Sequence, residues 1–313
     1  MFLTLDQIKA FTSGAVSVEK EDGIIRFKRM TVAQEEAFRE AAPHLYVNTL
    51  STTGISIDFH TDSAALTLQT GGPGKYEVLI NDQPRFQFLC KEAKACCMDL
   101  EPGEKKITIV LPCHSVGTIA NIRLNLGSRV WAHSYDKKLL FVGDSITQGW
   151  QSKWDCLTYT HQVARYYNAD AMNWGVGGTC FYPKTFQDVS FDADAVIVAY
   201  GTNDFNACRS MEHFRENCQG YLANVKAVYP DKPVFCLTPL WRAEQNMIRK
   251  VGTLHDIRAA LTEIANSFGF TVIDGLKLMP HVPEFYADER LHPNDLGFSV
   301  YAQSLIRELN QYL

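Results

Sequence analysis

Four short motifs carry residues that could together act on an ester. Gly143-Asp-Ser-Ile-Thr-Gln-Gly149 follows an apolar run and contains Ser145, a candidate nucleophile. The others are Asn173-Trp-Gly-Val-Gly-Gly178, Gly201-Thr-Asn-Asp204 and Leu291-His-Pro-Asn294. A serine hydroxyl is a weak nucleophile unless a base takes its proton. Histidine, here His292, is suited to that task because an imidazole titrates near neutral pH. The motifs therefore predict acyl chemistry at an activated serine.

The negative oxygen that forms when a serine attacks an ester needs hydrogen-bond donors aimed at it. The main-chain N–H groups of Ser145 and Gly178 and the side-chain amide of Asn203 are the predicted donors. Glycine at position 178 lets the main chain approach a substrate, because no side chain stands in the way. Ser145 is also predicted to begin a helix, whose N-terminus offers free N–H groups and the positive end of the helix dipole.

A carboxylate on the second ring nitrogen of the histidine would fix its tautomer and stabilise the imidazolium. Two acids precede His292 in the same loop, Asp288 by four residues and Glu289 by three. Both are candidates for the third member of a triad. Aspartate is the type that this role normally uses, and a loop can absorb one extra residue as a bulge, so we favour Asp288.

The four motifs, in this order, resemble those of the SGNH (GDSL) esterase family over residues 137–313. By this resemblance, Ser145 corresponds to the family's nucleophile and His292 to its catalytic histidine. Gly178 corresponds to the family's block glycine, and Asn203 to its block asparagine. The family usually has an aspartate three residues before the histidine, where this chain has Glu289. The resemblance implies a flavodoxin-like three-layer α/β/α domain and a serine esterase that uses no metal and no cofactor.

Strand-like and helix-like runs alternate from residue 139 onwards, as in a parallel sheet covered on both faces. The strand-like runs are Leu139–Val142, Ala171–Trp174, Ala195–Tyr200, Val234–Leu237 and Thr271–Ile273. Ligands bind at the carboxyl ends of such strands. Four candidate residues follow these ends: Ser145, Gly178, Asn203 and Trp241. Trp241, at the predicted rim, and Trp174, in the glycine motif, are the candidate substrate-binding residues.

The first 130 residues follow a different pattern. Apolar and polar residues alternate in short runs around Ile57, Val78, Ile109 and Leu124, with turn residues between the runs. This pattern predicts an antiparallel β-sandwich or jelly roll. The expected domains are residues 1–130 and 137–313, with a linker over residues 130–138. The layout resembles the SGNH esterases that carry an N-terminal β-sandwich, such as carbohydrate esterases of family 2.

Composition disfavours several other classes of protein. The chain has 313 residues and a net charge of −5, without a cluster of Lys and Arg and without a long apolar run. We therefore expect neither nucleic acid nor a membrane as a partner. The N-terminus shows no secretory pattern, and the nine cysteines are odd in number and irregular in spacing. These features favour a cytoplasmic protein with reduced thiols. The residues leave the oligomeric state open.

We therefore expect a serine esterase that acts on a short acyl group, above all acetyl, carried by a sugar or a similar polar alcohol. The resemblance supplies this substrate, because a fold and a set of motifs do not fix one. Two alternatives remain. The same triad could transfer the acyl group to a second alcohol, and the sandwich could make the chain a non-catalytic carbohydrate-binding protein. The presence of Ser145, Asn203 and His292 disfavours the second alternative.

Overall fold

A computed structural model describes all 313 residues and places them in an N-terminal β-sandwich and a C-terminal α/β/α domain. Both fold classes predicted from the sequence are confirmed. All nine cysteines are free thiols. No helix combines the length and the apolar character needed to cross a membrane.

Two antiparallel sheets form the sandwich. The first contains, in spatial order, β1 (Thr12–Ser13), β4 (Ser56–Thr61), β9 (Lys105–Val110), β6 (Gly74–Ile80) and β7 (Gln83–Cys90), with β11 (Val130–Ala132) also paired to β4. The second contains β2 (Ser17–Glu21), β3 (Ile24–Lys28), β10 (Thr118–Leu124), β5 (Ala65–Thr70) and β8 (Ala95–Asp99). Alternate apolar residues, among them Phe59, Ile109 and Ile122, are buried between the sheets. The predicted linker therefore begins as a strand of the sandwich.

Three helices that the alternating pattern did not predict lie in the N-terminal region: α1 (Leu5–Phe11), α2 (Val32–Ala41) and α3 (Tyr46–Thr49). Thr4 and Thr31 cap the first two, and each forms a capping box with a glutamine three residues later. The side chains of Phe38 and Leu45 do not join the sandwich core. They pack into a core of the C-terminal domain, so this segment connects the two domains.

A five-stranded parallel sheet forms the centre of the C-terminal domain. Its spatial order is β13 (Ala169–Gly175), β12 (Lys137–Gly143), β14 (Ala195–Ala199), β15 (Val234–Leu237) and β16 (Thr271–Ile273). The helices are α4 (Ser145–Gln148), α5 (Tyr159–Tyr166), α6 (Asp204–Ala207), α7 (Met211–Val228), α8 (Leu254–Ser267) and α9 (Asp295–Leu309). Apolar cores lie on both faces of the sheet, one against α7 and α8 and the other against α5 and α9. All five predicted strand-like runs are strands of this sheet.

Buried charged contacts join the sandwich to the loop that follows α4. Glu77 is 0% exposed and accepts the main-chain N–H groups of Asp155 at 2.8 Å and Cys156 at 2.9 Å. The Asp155 carboxylate pairs with Lys75 at 2.5 Å, and its second oxygen accepts the N–H of Cys113 at 2.9 Å. A buried charge that loses its partner is strongly destabilising. These contacts therefore resist separation of the domains.

Residues 137–313 expressed alone are expected to give an insoluble or poorly active fragment. The fragment would lose the partners of Asp155, and it would expose the apolar surface that Phe38 and Leu45 cover. Size-exclusion chromatography and ester hydrolysis, with the full chain in parallel, check this. A monodisperse fragment with full activity on both small esters and acetylated sugars would show instead that the sandwich is an independent module.

Candidate active site

Ser145 lies in a sharp turn between β12 and α4. Asp144 caps the helix and accepts the N–H of Ile146 at 2.9 Å, and Gly149 ends it in the left-handed conformation at a φ of +95°. Gly143 allows the close approach of the next strand, because a Cβ there would lie 2.7 Å from the carbonyl oxygen of Ala199. The turn therefore holds the serine at the carboxyl end of β12, where its side chain is largely buried.

Ser145, His292 and Asp288 form a hydrogen-bonded chain. The Oγ atom of Ser145 lies 3.0 Å from Nε2 of His292, and Nδ1 of His292 lies 2.7 Å from Oδ2 of Asp288. The other oxygen of Asp288 accepts the main-chain N–H groups of Leu291 at 2.7 Å and His292 at 3.0 Å. Glu289 is exposed and forms no hydrogen bond with the histidine. The contacts are those that a nucleophile, a base and an orienting acid require.

The shape of the 286–293 loop explains why the acid four residues before the histidine faces the ring. Tyr286 pairs with Pro293, and the Ala287 N–H donates to the carbonyl of His292 at 2.8 Å, which closes the loop. Glu289 has a φ of +55°, an uncommon conformation for a residue other than glycine, and the chain turns there. Burial alone would raise the pKa of Asp288, but the N–H donors and the histidine ring lower it to about 2. Its carboxylate is therefore ionised at neutral pH.

The three predicted oxyanion donors lie at the ends of neighbouring strands. Gly143 of β12 is in register with Gly175 of β13 and with Ala199 of β14, and the donor residues follow shortly after these positions. The main-chain N–H groups of Ser145 and Gly178 donate to no protein acceptor. The Asn203 amide gives one hydrogen to the carbonyl of Thr179 at 3.0 Å, which leaves its second hydrogen free. Each group can therefore donate to a substrate oxygen.

The two predicted substrate-binding tryptophans lie in different surroundings. Trp241 is half-buried, and its ring packs 5.0 Å from that of Tyr286, in the loop that carries Asp288. Trp174 is 3% exposed and packs edge-on against Phe186 in the core, with 5.7 Å between the ring centroids. Trp174 belongs to the apolar core on that face of the sheet, so its packing gives no support to the predicted role in substrate binding.

Trp150 is the aromatic residue at the mouth of the site. The residue is 37% exposed, and its ring lies 6.4 Å from the ring of His292 and 5.5 Å from that of His114 in the sandwich. The indole N–H donates to the side chain of Gln148 at 3.1 Å, which fixes the ring. Its position directly after Gly149 was the only sequence signal for this placement. Both domains therefore contribute to the mouth.

A groove of about 730 Å³ lies beside the loop that carries the histidine. Polar side chains dominate its lining: Gln151, Lys153, Glu284, Glu289, Asn294 and Asp295. Such groups can form hydrogen bonds with the hydroxyls of a polar ligand. No three or more His, Cys, Asp or Glu side chains are grouped so as to hold a metal ion.

Two buried carboxyls lie next to the site residues in sequence. Burial raises the pKa of Asp144 to about 7, and the charge of Asp204 adds to the shift. Burial also raises the pKa of Asp204 to about 7. One Asp204 oxygen accepts the N–H of Phe181 at 3.2 Å, while the other has no hydrogen-bond partner. Each acid therefore holds its proton to a higher pH in the folded protein than a carboxyl in water does.

The substitution Asp204→Asn is expected to favour folding more at pH 8 than at pH 5. A carboxyl whose pKa rises on folding stabilises the protein fully below its unfolded pKa, near 4, and this contribution is lost as the pH rises through about 7. Asparagine does not titrate, so the free energy of unfolding of the variant minus that of the wild type should increase over this range by a few kcal/mol.

Urea unfolding at pH 5 and pH 8 measures this difference. Asp231→Asn is the matched control, because it makes the same substitution at an exposed position away from the buried carboxyls. If the free energy of unfolding of Asp204→Asn minus that of the wild type were equal at both pH values, Asp204 would be ionised in the folded protein at pH 5.

Residues 141–300 match the model of the GDSL-like lipase/acylhydrolase family. A comparison with curated proteins gives no significant match. Among solved structures, a salicylyl-acyltransferase from a tetracycline biosynthetic pathway superposes with a TM-score of 0.81 at 20% identity, over 96% of this chain and 94% of that one. A family two carbohydrate esterase from Cellvibrio japonicus superposes with a TM-score of 0.70 at 14% sequence identity, over 99% of this chain and 97% of that one. A family two carbohydrate esterase from Clostridium thermocellum superposes with a TM-score of 0.67 at 17% sequence identity, over 84% of this chain and 93% of that one. At these identities the likeness is one of fold.

Proposed function

This chain belongs to the GDSL-like lipase/acylhydrolase family and is an ester hydrolase, and on that basis we propose that it removes short acyl groups, above all acetyl, from a sugar or a similar polar alcohol. The observation that carries the proposal is the hydrogen-bonded chain from Asp288 through His292 to Ser145. The free donors at the neighbouring strand ends support it, because acyl transfer needs both an activated nucleophile and a place for the oxyanion.

The proposed reaction has two halves. The Oγ atom of Ser145 attacks the ester carbonyl while Nε2 of His292 takes its proton, and Asp288 holds the imidazolium through Nδ1. The oxyanion accepts hydrogen bonds from the N–H groups of Ser145 and Gly178 and from the amide of Asn203. The loss of one such donor typically costs about 2.7–4 kcal/mol of transition-state stabilisation.

The histidine then gives its proton to the leaving alcohol, which leaves the acyl group on Ser145. In the second half a water molecule attacks the acyl-enzyme, and the histidine takes the water's proton and returns it to Oγ. The carboxylic acid leaves, and the enzyme is restored.

Two features support a polar alcohol as the leaving group. The groove beside the histidine loop has a polar lining, and the exposed ring of Trp150 at the mouth could pack against the face of a sugar. Carbohydrate esterases are among the structures that share this fold. An acetylated sugar is therefore the first substrate to test.

A panel of p-nitrophenyl esters from acetyl to octanoyl, assayed beside acetylated sugars, tests the proposal. We expect kcat/KM to be highest for acetyl, to fall with chain length, and acetate to be released from at least one acetylated sugar. The absence of hydrolysis across the panel would contradict the proposed activity. A preference for octanoyl would contradict only the proposed acyl group.

Transfer of the acyl group to a second alcohol is the second candidate function. The likeness to a salicylyl-acyltransferase over nearly the whole chain favours it, and the groove could hold an acceptor. Product analysis with and without an added sugar acceptor separates the two functions. A transferase would form a new ester at the expense of free acid, whereas an esterase would release the same amount of acid in both assays. The hydrogen-bonded chain disfavours a purely carbohydrate-binding role.

A further inference from the structure

Residues 173–178, which we call the glycine block, end at the proposed oxyanion donor Gly178. They begin inside β13, which is an edge strand of the parallel sheet and pairs only with β12. The outer side of an edge strand presents main-chain groups without partners. Such groups need hydrogen-bond partners when they are buried. In this protein the carbonyls of Asn173, Gly175 and Gly177 find their partners in the N-terminal region.

Arg29 is the partner of two of these carbonyls. It follows β3 and is 1% exposed. Its Nη1 group donates to the carbonyls of Asn173 and Gly175, both at 2.9 Å. Nε donates to the carbonyl of Ser51 at 3.0 Å, and Nη2 donates to the carbonyl of Asn48 at 2.6 Å and to Oγ of Ser51 at 3.3 Å. All five N–H donors of the guanidinium are used, and none of the acceptors is a carboxylate.

Burial of a cation whose hydrogen-bond partners are all uncharged costs free energy, because no carboxylate compensates for the lost water. Burial lowers the pKa of Arg29 to about 10, so the side chain is still charged at neutral pH. An apolar side chain could occupy the same volume without this cost. The planar guanidinium does what an apolar side chain cannot, because its fixed fork of donors holds several acceptors in one geometry.

Three further contacts hold the far end of the glycine block. The side-chain amide of Asn48 donates to the carbonyl of Gly177 at 3.1 Å. The N–H of Gly177 donates to Gln148, whose amide nitrogen donates in turn to Ser51 at 3.1 Å. Gly178 has a φ of +83°, and a Cβ there would lie 2.9 Å from the side chain of Leu45. The position of Gly178 is therefore set by the N-terminal region as well as by the strand before it.

We propose that Arg29 is a positioning residue that aims the Gly178 N–H at the oxyanion, so that the N-terminal domain forms part of the catalytic machinery. The inference rests on the proposed function, in which Gly178 donates to the oxyanion. A donor to the oxyanion is strongest in the transition state and contributes little to substrate binding. Displacement of the glycine block should therefore lower kcat while KM changes little.

Three full-length variants test this proposal with p-nitrophenyl acetate. Arg29→Met fills the space without donors and should lower kcat by about 30- to 300-fold, with KM within threefold of wild type. Arg29→Lys keeps the positive charge but loses the planar fork of donors, so its kcat should lie between those of Arg29→Met and wild type. Ser13→Ala is the matched control, because Ser13 contacts the same edge strand at Asp170, 2.6 Å away, outside the glycine block. Its kcat should stay within threefold of wild type.

Hydrogen exchange of residues 173–178, followed by mass spectrometry, gives a readout that does not depend on catalysis. Exchange in this segment should be faster in Arg29→Met and Arg29→Lys than in wild type and unchanged in Ser13→Ala. If both Arg29 variants fold with unchanged exchange there, or with kcat within threefold of wild type, the inference is wrong. If Arg29→Met does not fold, Arg29→Lys and Asn48→Ala decide the question by the same two measurements. If exchange is faster in the Arg29 variants but the wild-type protein hydrolyses no ester, the proposed function is contradicted and the structural role of Arg29 stands.

Discussion

Ser145→Ala is expected to leave a folded protein whose esterase kcat is reduced by about 10⁴- to 10⁶-fold. In the proposed reaction the acyl group is carried on the Oγ atom of Ser145, which alanine lacks. The same Oγ atom is the group that His292 contacts, at 3.0 Å. The oxyanion donors and His292 would remain, so a small residual rate above that in water is expected. The turn itself should persist, because the capping bond from Ile146 to Asp144 does not involve the serine side chain.

Rates with p-nitrophenyl acetate and a thermal unfolding curve for each protein check this expectation. Ser152→Ala is a suitable control, because Ser152 lies in the following loop, where its Oγ donates to the carbonyl of Gly149 at 2.9 Å without contact to the histidine. This control should keep its kcat within about fivefold of wild type. A Ser145→Ala protein that is active within tenfold of wild type would remove the serine from the proposed mechanism.

Part of the candidate site could be predicted from the sequence because Ser145, Gly178 and Asn203 follow apolar strands of a parallel sheet, whereas His292 was identified by its motif alone. The carboxyl ends of such strands meet at one edge, so residues far apart in the chain are brought together by the topology alone. Ser145 and Asn203 follow β12 and β14, which are neighbours in the sheet. The order of strands and helices, together with the strand-end motifs, was therefore enough to group the candidates.

The sequence pattern did not show which way a side chain points when both faces of a strand are buried. Trp174 and Trp150 both belong to or follow the motifs, yet the first lies in the core and the second at the mouth of the site. A parallel sheet covered on both faces buries the two sides of each strand alike. Proximity to a motif in sequence therefore could not separate a core tryptophan from a tryptophan at the surface.

Contacts between distant parts of the chain were also beyond prediction. Arg29 contacts the carbonyl of Asn173, which is 144 residues away. Residues 31–54 lack the alternation of apolar and polar residues that is typical of a strand. The helices in this segment are held in position because Phe38 and Leu45 pack against the C-terminal domain. The energy of such packing depends on surfaces that the local sequence does not describe. The role of the N-terminal region around the glycine block became visible only in the structure.

The choice between the two acids before the histidine shows the same limit. Spacing in sequence pointed to Glu289, while residue type pointed to Asp288. The loop conformation decides which carboxylate reaches the ring, and that conformation depends on the positive φ at Glu289 and on the bonds that close the loop. The structure places Asp288 against His292.

With p-nitrophenyl acetate, which carries no sugar to reach the groove, Asp288→Asn is expected to lower kcat by about 10³- to 10⁴-fold, whereas Glu289→Gln should leave kcat within twofold of wild type. The asparagine can keep the oxygen that accepts the N–H groups of Leu291 and His292, so the loop should hold its shape. Its amide would donate to Nδ1 of the histidine and so move the ring proton to Nε2. The nitrogen that faces Ser145 would then be a donor and could not take the serine proton.

Steady-state rates for the two variants at pH 7 to 8, with unfolding curves to confirm that both proteins fold, decide between the acids. The wild-type carboxylate is ionised throughout this range, because its pKa is about 2. Loss of activity in Asp288→Asn therefore reports on the orientation and charge of the histidine's partner and not on a titration. If Glu289→Gln lost activity strongly and Asp288→Asn did not, the longer acid would be the orienting group. The contact between Asp288 and His292 would then belong to the free enzyme alone, and the 286–293 loop would have to rearrange when substrate binds.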